Sequence, residues 1–443
     1  MTQNIIDTES LYRIFLEHPT VTTDSRNCPE GSVFFALKGE NFNGNLFAAK
    51  ALENGCSYAV IDDPSLQTDR RMLLVDNVLN ALQDLAAHHR RMLSDIPVIC
   101  ITGTNGKTTT KELTAAVLAQ KYNLLYTQGN LNNSIGTPLT LLRLNRSHEV
   151  AVIEIGASHP GDIKELVDIA QPDWGLITNV GRAHLEGFGS FEGVIRTKGE
   201  LYDYLRAHRG KIILNAGNPY LSSLAQGLES VRYTADTSVG GDVSVNGRVI
   251  DAAPLSLEWT VGTRRHSVQT HLIGAYNLEN ALAAITVGIV FGVDEAGIDR
   301  ALEGYEPSNH RSQLLRTDRN TLIVDAYNAN PSSMQAALDN FLPSADASKG
   351  VILGSMKELG AYSEEEHRRL VQRISASRLG LAILIGEEFK PFQSEATAEG
   401  APLLWFDSTE SCRKWINVHP VEGCTLLLKG SHANHLETLS DIL

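Results

Sequence analysis

Val98-Ile99-Cys100-Ile101-Thr102 runs without a charge into Gly103-Thr104-Asn105-Gly106-Lys107-Thr108-Thr109. A short, continuously apolar run suits a strand buried on both faces of a parallel sheet. The segment from Lys107 to Lys121 that follows carries a helical pattern. Strand, Gly-rich turn and helix in that order demand an α/β unit whose turn faces a ligand. Glycines let the backbone turn tightly and aim its N–H groups at phosphate oxygens, and the helix N-terminus adds positive potential. Lys107 can neutralise β and γ phosphates, and Thr108 can set its hydroxyl on Mg²⁺. The general phosphate-loop pattern wants a glycine five residues before Gly106, where this chain has Ile101. Its first glycine is Gly103, so the loop is a variant.

At 443 residues the chain is too long for one ordinary core, and two to three domains are expected. Residues 1–92 read as a small α/β unit. Its strand-like runs are Ser32 to Leu37 and Tyr58 to Ile61, with helix-like segments from Leu46 to Asn54 and Val78 to Leu93. Residues 93–309 continue the rhythm of the loop: buried-strand candidates Val150 to Ile155, Gly175 to Thr178 and Lys211 to Leu214 predict a doubly wound parallel sheet. Val243 to Val245 and Leu255 to Trp259 predict a small β subregion or edge addition, and a helix from Leu278 to Phe291 closes the unit. Residues 310–443 carry a second, Rossmann-like α/β rhythm. Its strands are Thr321 to Val324, Gly350 to Leu353, Leu381 to Ile385 and Thr425 to Leu428; its helices are Ser332 to Phe341 and Glu364 to Ser375. The expected fold class is therefore α/β in three domains.

The formal net charge of −14 offers no basic face for a nucleic acid, and no such partner is expected, whereas a few placed cations suffice for a nucleotide. Met1 to Ser10 lacks a secretory pattern, and the longest apolar stretch, Ala281 to Val293, is too short to span a bilayer, so no membrane insertion is expected. Five scattered cysteines without a Cys-x-x-Cys spacing suit buried thiols in a reducing cytoplasm.

Four polar residues stand out by position. Glu154 ends the strand beginning at Val150, where a carboxylate faces the ligand crevice of an α/β domain and suits Mg²⁺; its bland alternative is a solvated loop glutamate. His184 follows another strand end, and a lone loop histidine is more often structural. Lys198 in Thr197-Lys198-Gly199-Glu200 has the pattern of a solvated helix lysine. Asn277 reads as a helix N-cap, although a carboxamide also suits a purine edge. The pair His432 and His435 could face one side of a helix as metal ligands, but a solvated face is the commoner outcome.

The loop Gly103 to Thr109 after a buried strand is similar to that of the Mur ligase superfamily, which includes folylpolyglutamate synthases. Gly129-Asn130-Leu131-Asn132-Asn133-Ser134-Ile135-Gly136-Thr137-Pro138 and Asp325-Ala326-Tyr327-Asn328-Ala329-Asn330-Pro331-Ser332-Ser333-Met334 also resemble its motifs, and the resemblance covers nearly the whole chain. It implies a monomeric ATP-dependent ligase that joins D-alanyl-D-alanine to UDP-N-acetylmuramoyl-tripeptide through an acyl phosphate, the last cytoplasmic step toward the peptidoglycan pentapeptide precursor. Lys107, Glu154, His184, Lys198 and Arg311 would be catalytic, with Thr108, Glu154, His184 and a carbamylated Lys198 serving two Mg²⁺ ions. Nucleotide would be held by Gly103 to Thr109, Asn277, Asn280, Arg311, Asp325, Tyr327 and Asn328. Ser25, Arg26 and Lys38 would take the uridine diphosphate end, and Asn130, Asn133 and Asn330 the remaining substrate.

The resemblance is incomplete at Asn43 and Asn45, where Asp-Gly-His is common. Ser158 replaces a frequent Asn, Ser355 an Asp and His432 an Arg. These departures leave the ATP chemistry alone and bear on substrate contacts. Domain closure about a hinge near Ser308 to Ser312 is expected. Two rivals stay open: the ligase that adds the third amino acid of the same peptide, against which Tyr327 to Pro331 speaks, and a phosphate-loop scaffold that does not ligate. The third peptide residue, lysine or diaminopimelate, stays open too.

Overall fold

The computed structural model describes residues 5–236, 238–239, 242–307, 311–344, 348–392 and 403–443. Its elements form three α/β domains in chain order, each organised around its own sheet. The first sheet orders four parallel strands as Val21–Thr22, Val33–Phe35, Tyr58–Ile61 and Met72–Leu74. A short hairpin, Lys38–Gly39 with Phe42–Asn43, stands beside it. The expected helix from Leu46 to Asn54 is split into a 3₁₀ turn, Gly44–Phe47, and an α-helix, Ala48–Glu53. Asn43 caps the first piece by accepting from the Asn45 N–H, which tightens the turn.

The central sheet runs Arg264–Gln269, Leu255–Val261, Val245–Ala252, Glu229–Thr234, Lys211–Asn215, Trp174–Ile177, Val98–Thr102, Val150–Glu154, Leu124–Tyr126. From Val245–Ala252 onward to Leu124–Tyr126 the neighbours are parallel, and the two outer strands add on antiparallel. The expected β subregion is thus an edge extension, although its first strand begins at Val245 rather than Val243. Val98–Thr102 is buried along its length because alternate residues enter opposite cores. Val98 and Cys100 pack in one, Ile99 and Ile101 in the other. The helix Asn277–Val290 does not close this domain; Glu295–Gly304, capped by Asp294, follows it.

The C-terminal sheet orders Gln313–Arg316, Thr321–Asp325, Thr425–Lys429, Lys349–Gly354, Leu381–Ile385 and Leu403–Phe406, parallel except for the first strand. Again two cores cover its two faces. Asn330 opens the helix Pro331–Phe341 with a capping box: its side chain accepts from the Ser333 N–H while the Ser333 hydroxyl faces the Asn330 backbone.

In both large domains the chain order reverses at one strand: the Val98–Thr102 strand lies between Trp174–Ile177 and Val150–Glu154, and Thr425–Lys429 returns between Thr321–Asp325 and Lys349–Gly354. A crevice opens beyond the carboxyl ends of strands at such a point. The candidate site lies there.

Candidate active site

Two glycines of the loop are required by space. Gly103 has φ +145, and a Cβ there would stand 2.0 Å from Thr178 Oγ1; Gly106 has φ +76, and its Cβ would meet Asn280 Oδ1 at 2.3 Å. The loop is pinned by the neighbouring strand's continuation. Thr104 N–H donates to Asn179 O (3.0 Å), Asn105 N–H to Asn179 Oδ1 (3.0 Å), and the Thr178 hydroxyl to Asn105 O (2.6 Å). The helix Lys107–Leu118 starts directly from Gly106.

A cleft of about 1100 Å³ opens above this loop. Among the expected site residues, Thr104 to Thr109, Asn130, Asn133, Glu154, His184, Asn277, Asn280, Arg311, Asp325, Tyr327 and Asn328 line it. Gly103 and Asn330 do not line it but bond to Lys107 and Asn105, which do, and Lys198, Ser25, Arg26 and Lys38 are not among its lining residues.

Lys107 is half-buried, and its Nζ donates to Gly103 O (2.7 Å) and Thr104 O (3.0 Å). Loss of solvation pushes its pKa down to about 8, Glu154 opposing and Arg311 adding to the shift. Glu154 is buried, not a solvated loop residue. Its Oε1 accepts from the Thr108 hydroxyl (3.1 Å) and Asn132 Nδ2 (2.8 Å). Its Oε2 is buried and has no hydrogen-bond partner among the described residues. A buried carboxylate oxygen without a donor is costly unless something positive meets it.

His184 has φ +50 and stands across from Glu358, which the C-terminal domain supplies. Burial lowers its pKa against the pull of Glu358, which favours the neutral ring. Lys198 is 2% exposed, so the solvated-lysine expectation fails; the helix Phe191–His208 turns it inward over the Phe188 ring. Burial first, then the charge of Lys107, drives its pKa well below the usual lysine range.

Asn277 does not cap its helix. Tyr276 before it is already helical, so Asn277 sits one residue inside, where its amide donates to Ile273 O (2.8 Å) and accepts from Asn280 Nδ2 (2.8 Å). Asn280 in turn accepts from Thr110 (3.1 Å), a chain of side chains under Gly106. Opposite, the Arg311 guanidinium stacks 3.7 Å over the Tyr327 ring. Part of the hinge expected at Ser308 to Ser312, residues 308–310, lies outside the described residues; Ser312 has φ +49 and bonds Tyr276 Oη (3.0 Å).

Three further residues serve this cleft without a signal of their own in the sequence. Asn132 holds Glu154, and Glu358 meets His184. Lys429, fully buried, places Nζ 2.5 Å from Asp325 Oδ2 and 3.3 Å from Asn328 O. Lys429 and Asp325 are register partners on adjacent parallel strands, a pairing that spacing along the chain does not reveal. Across the cleft Asn330 Nδ2 donates to Asn105 Oδ1 (2.8 Å), Arg182 N–H to Ser332 Oγ (2.8 Å), and Arg182 pairs with Glu366 (3.1 Å).

At the N-terminal end, Arg26 is exposed and forks onto its neighbour Asp24 (2.9 Å to each oxygen). Lys38 pairs with Asp62 (2.8 Å), which also accepts from Asn45. Ser25 O accepts from Asn54 Nδ2 (2.9 Å).

A phosphate-type loop at one sheet's crevice faces residues from the crevice of a second sheet, and the chain belongs to the Mur ligase family. Residues 19–90 match the family's model described as "Mur ligase family, catalytic domain", 101–288 its middle domain and 310–432 its "glutamate ligase domain". The UDP-N-acetylmuramoyl-tripeptide–D-alanyl-D-alanine ligase of Escherichia coli is 35% identical over 94% of this chain and 92% of its own length. Its counterpart in Bacillus subtilis is 35% identical over 83% and 80%. Among solved structures, MurF from Acinetobacter baumannii superposes with a TM-score of 0.83 at 31% identity, covering 95% of this chain and 92% of that one. MurF ligase from Thermotoga maritima in complex with ADP superposes at 0.81 and 27%, covering 96% and 97%.

Proposed function

We propose that this chain is the ATP-dependent ligase that joins D-alanyl-D-alanine to UDP-N-acetylmuramoyl-tripeptide, completing the pentapeptide precursor of peptidoglycan in the cytoplasm. The observation that carries the reading is the convergence of Lys107, Arg311 and the Thr108–Glu154 pair on one cleft above the Gly103–Gly106 turn. The relatives named above act on these substrates by name, and one was solved with ADP.

The peptide carboxylate attacks the γ-phosphate, ADP leaves, and an acyl phosphate remains. The free amine of D-alanyl-D-alanine then attacks the acyl carbon, and phosphate departs as the amide forms. Lys107, released from its carbonyl partners, and Arg311 face the equatorial oxygens of the transferring group. Asn277 and Asn280 read the base edge, and Asp325, braced by Lys429, accepts from the ribose hydroxyls. Thr108, Glu154 with its unpartnered oxygen, and neutral His184 fit divalent cations held with phosphate oxygens, which would be two Mg²⁺ ions. Bound there, Mg²⁺ supplies charge neutralisation at the β and γ phosphates. Lys198, driven toward its neutral amine, is suited to take up CO₂: its nitrogen forms the new bond to carbon, a proton leaves, and an anionic carbamate replaces a cation. Contacts such as Asn330 to Asn105 draw the C-terminal domain over the nucleotide and keep the acyl phosphate dry.

Phosphate release with ATP, UDP-N-acetylmuramoyl-tripeptide and D-alanyl-D-alanine tests the reading. Release only with a free amino acid and the UDP-dipeptide would assign the chain to the preceding step. Release with neither pair would leave a nucleotide-binding scaffold.

A further inference from the structure

We propose that His432, His435 and Glu437 form a site for one divalent transition ion of the Zn²⁺ type, outside the nucleotide cleft. One ligand atom from each residue lies within 4.8 Å of the others, and none of the three lines the cleft. Zn²⁺ binds imidazole nitrogen and carboxylate oxygen at about 2.0–2.1 Å, which sets neighbouring ligand atoms of a tetrahedron roughly 3.3 Å apart. Both imidazoles are exposed, and the His432 ring lies stacked beside that of Tyr327 at the edge of the cleft, centroids 5.9 Å apart.

The backbone beneath them is fixed. The pair does not lie on one helix face. His432–Asn434 is a single 3₁₀ turn, capped by Ser431 and by Asn434 accepting from the Ser431 N–H (2.9 Å). The His432 N–H donates to Tyr327 O (3.0 Å). His435, at φ +51, reverses the chain so that its ring turns back toward His432, with ring centroids 5.5 Å apart. Buried Leu436 and Leu439 anchor the turn that carries Glu437. Glu437 Oε1 stands 3.5 Å from His435 Nδ1, while its Oε2 is buried and has no hydrogen-bond partner among the described residues. An ordinary exposed ion pair leaves that second oxygen unexplained; a metal bound by the carboxylate does not. Two imidazoles and one carboxylate favour Zn²⁺ over Mg²⁺ or Ca²⁺, which take oxygen ligands, and leave a fourth position for water.

The test uses the full chain, stripped of metal and then saturated with Mg²⁺ and ADP so that the cleft is filled. Equilibrium dialysis against Zn²⁺ and the visible spectrum with Co²⁺ are compared for wild type, His432→Ala, His435→Ala and Glu437→Gln. One equivalent of Zn²⁺ is expected in the wild type, weakened roughly tenfold or more in each histidine variant, together with loss of a tetrahedral Co²⁺ band. Zn²⁺ binding equal to wild type in both histidine variants overturns the site, as does binding that excess Mg²⁺ removes. Should Glu437→Gln fail to fold, the two exposed histidines decide alone.

Discussion

Among the described residues no carboxylate pairs with Lys107 or Arg311 in the cleft, whereas Arg26 and Lys38 each spend their charge on a neighbouring aspartate. The loop lysine is half-buried and pushed down to about 8; the Asp24 carboxyl beside exposed Arg26 is pulled down to about 2. The two regions therefore hold cations on opposite terms. In the cleft, charge is kept desolvated and waiting for an anion, so a phosphate arriving there gains far more than it would in water. At the N-terminal end, charge is solvated and already satisfied, and a diphosphate must displace Asp24 or Asp62 to use it.

The contrast breaks first at Lys107. Lys107→Ala is expected to lower kcat for phosphate release by about 10³-fold with the melting temperature unchanged or raised; a loss under tenfold would erase the difference between the regions. Lys198→Ala is expected to cost on the order of 10²-fold or more, with partial return of activity on adding a short carboxylate, because an anion and not an amine is needed there. Activity at the wild-type level in that variant would remove Lys198 from the mechanism.

A pH series sharpens the same point. Protonated Lys107 is the form that binds phosphate. ATP affinity measured by titration calorimetry should therefore be flat below about 8 and fall above it, by up to about tenfold per unit. Lys429→Met should raise the KM for ATP about tenfold while leaving kcat within a few-fold, since it acts through Asp325. The smallest effect belongs to Arg26→Ala and Lys38→Ala, each expected to change the KM for the UDP-linked substrate by less than about tenfold.

The legibility of the chain follows burial. Strands of the two large sheets' interiors, such as Val98–Thr102 and Leu381–Ile385, announce themselves because both faces are covered and every residue is apolar or small. Edge strands do not. Gln313–Arg316 is polar at both ends and ends in an exposed arginine, and Leu403–Phe406, although apolar throughout, is four residues long and only half-buried. The helix Thr8–Glu17 carries its cap, Asp7 accepting from the Ser10 N–H, yet its apolar face is short and goes unread. Residues that end strands, such as Glu154 and Asp325, were legible as cleft-lining positions because position and residue type coincide. Their partners were not: Asn132, Glu358 and Lys429 become neighbours only through the sheet order or the approach of the C-terminal domain. Asn277 misleads for a local reason, since Tyr276 enters the helix ahead of it.

Asn330 holds two posts at once. Its side chain caps the helix Pro331–Phe341 through one end of the amide and grips Asn105 in the loop through the other. A single rotation of that amide would loosen the start of a helix and one of several contacts between two domains together. Where the two domains part to exchange nucleotide, the start of that helix would have to give up its cap-side contact to the loop at the same moment.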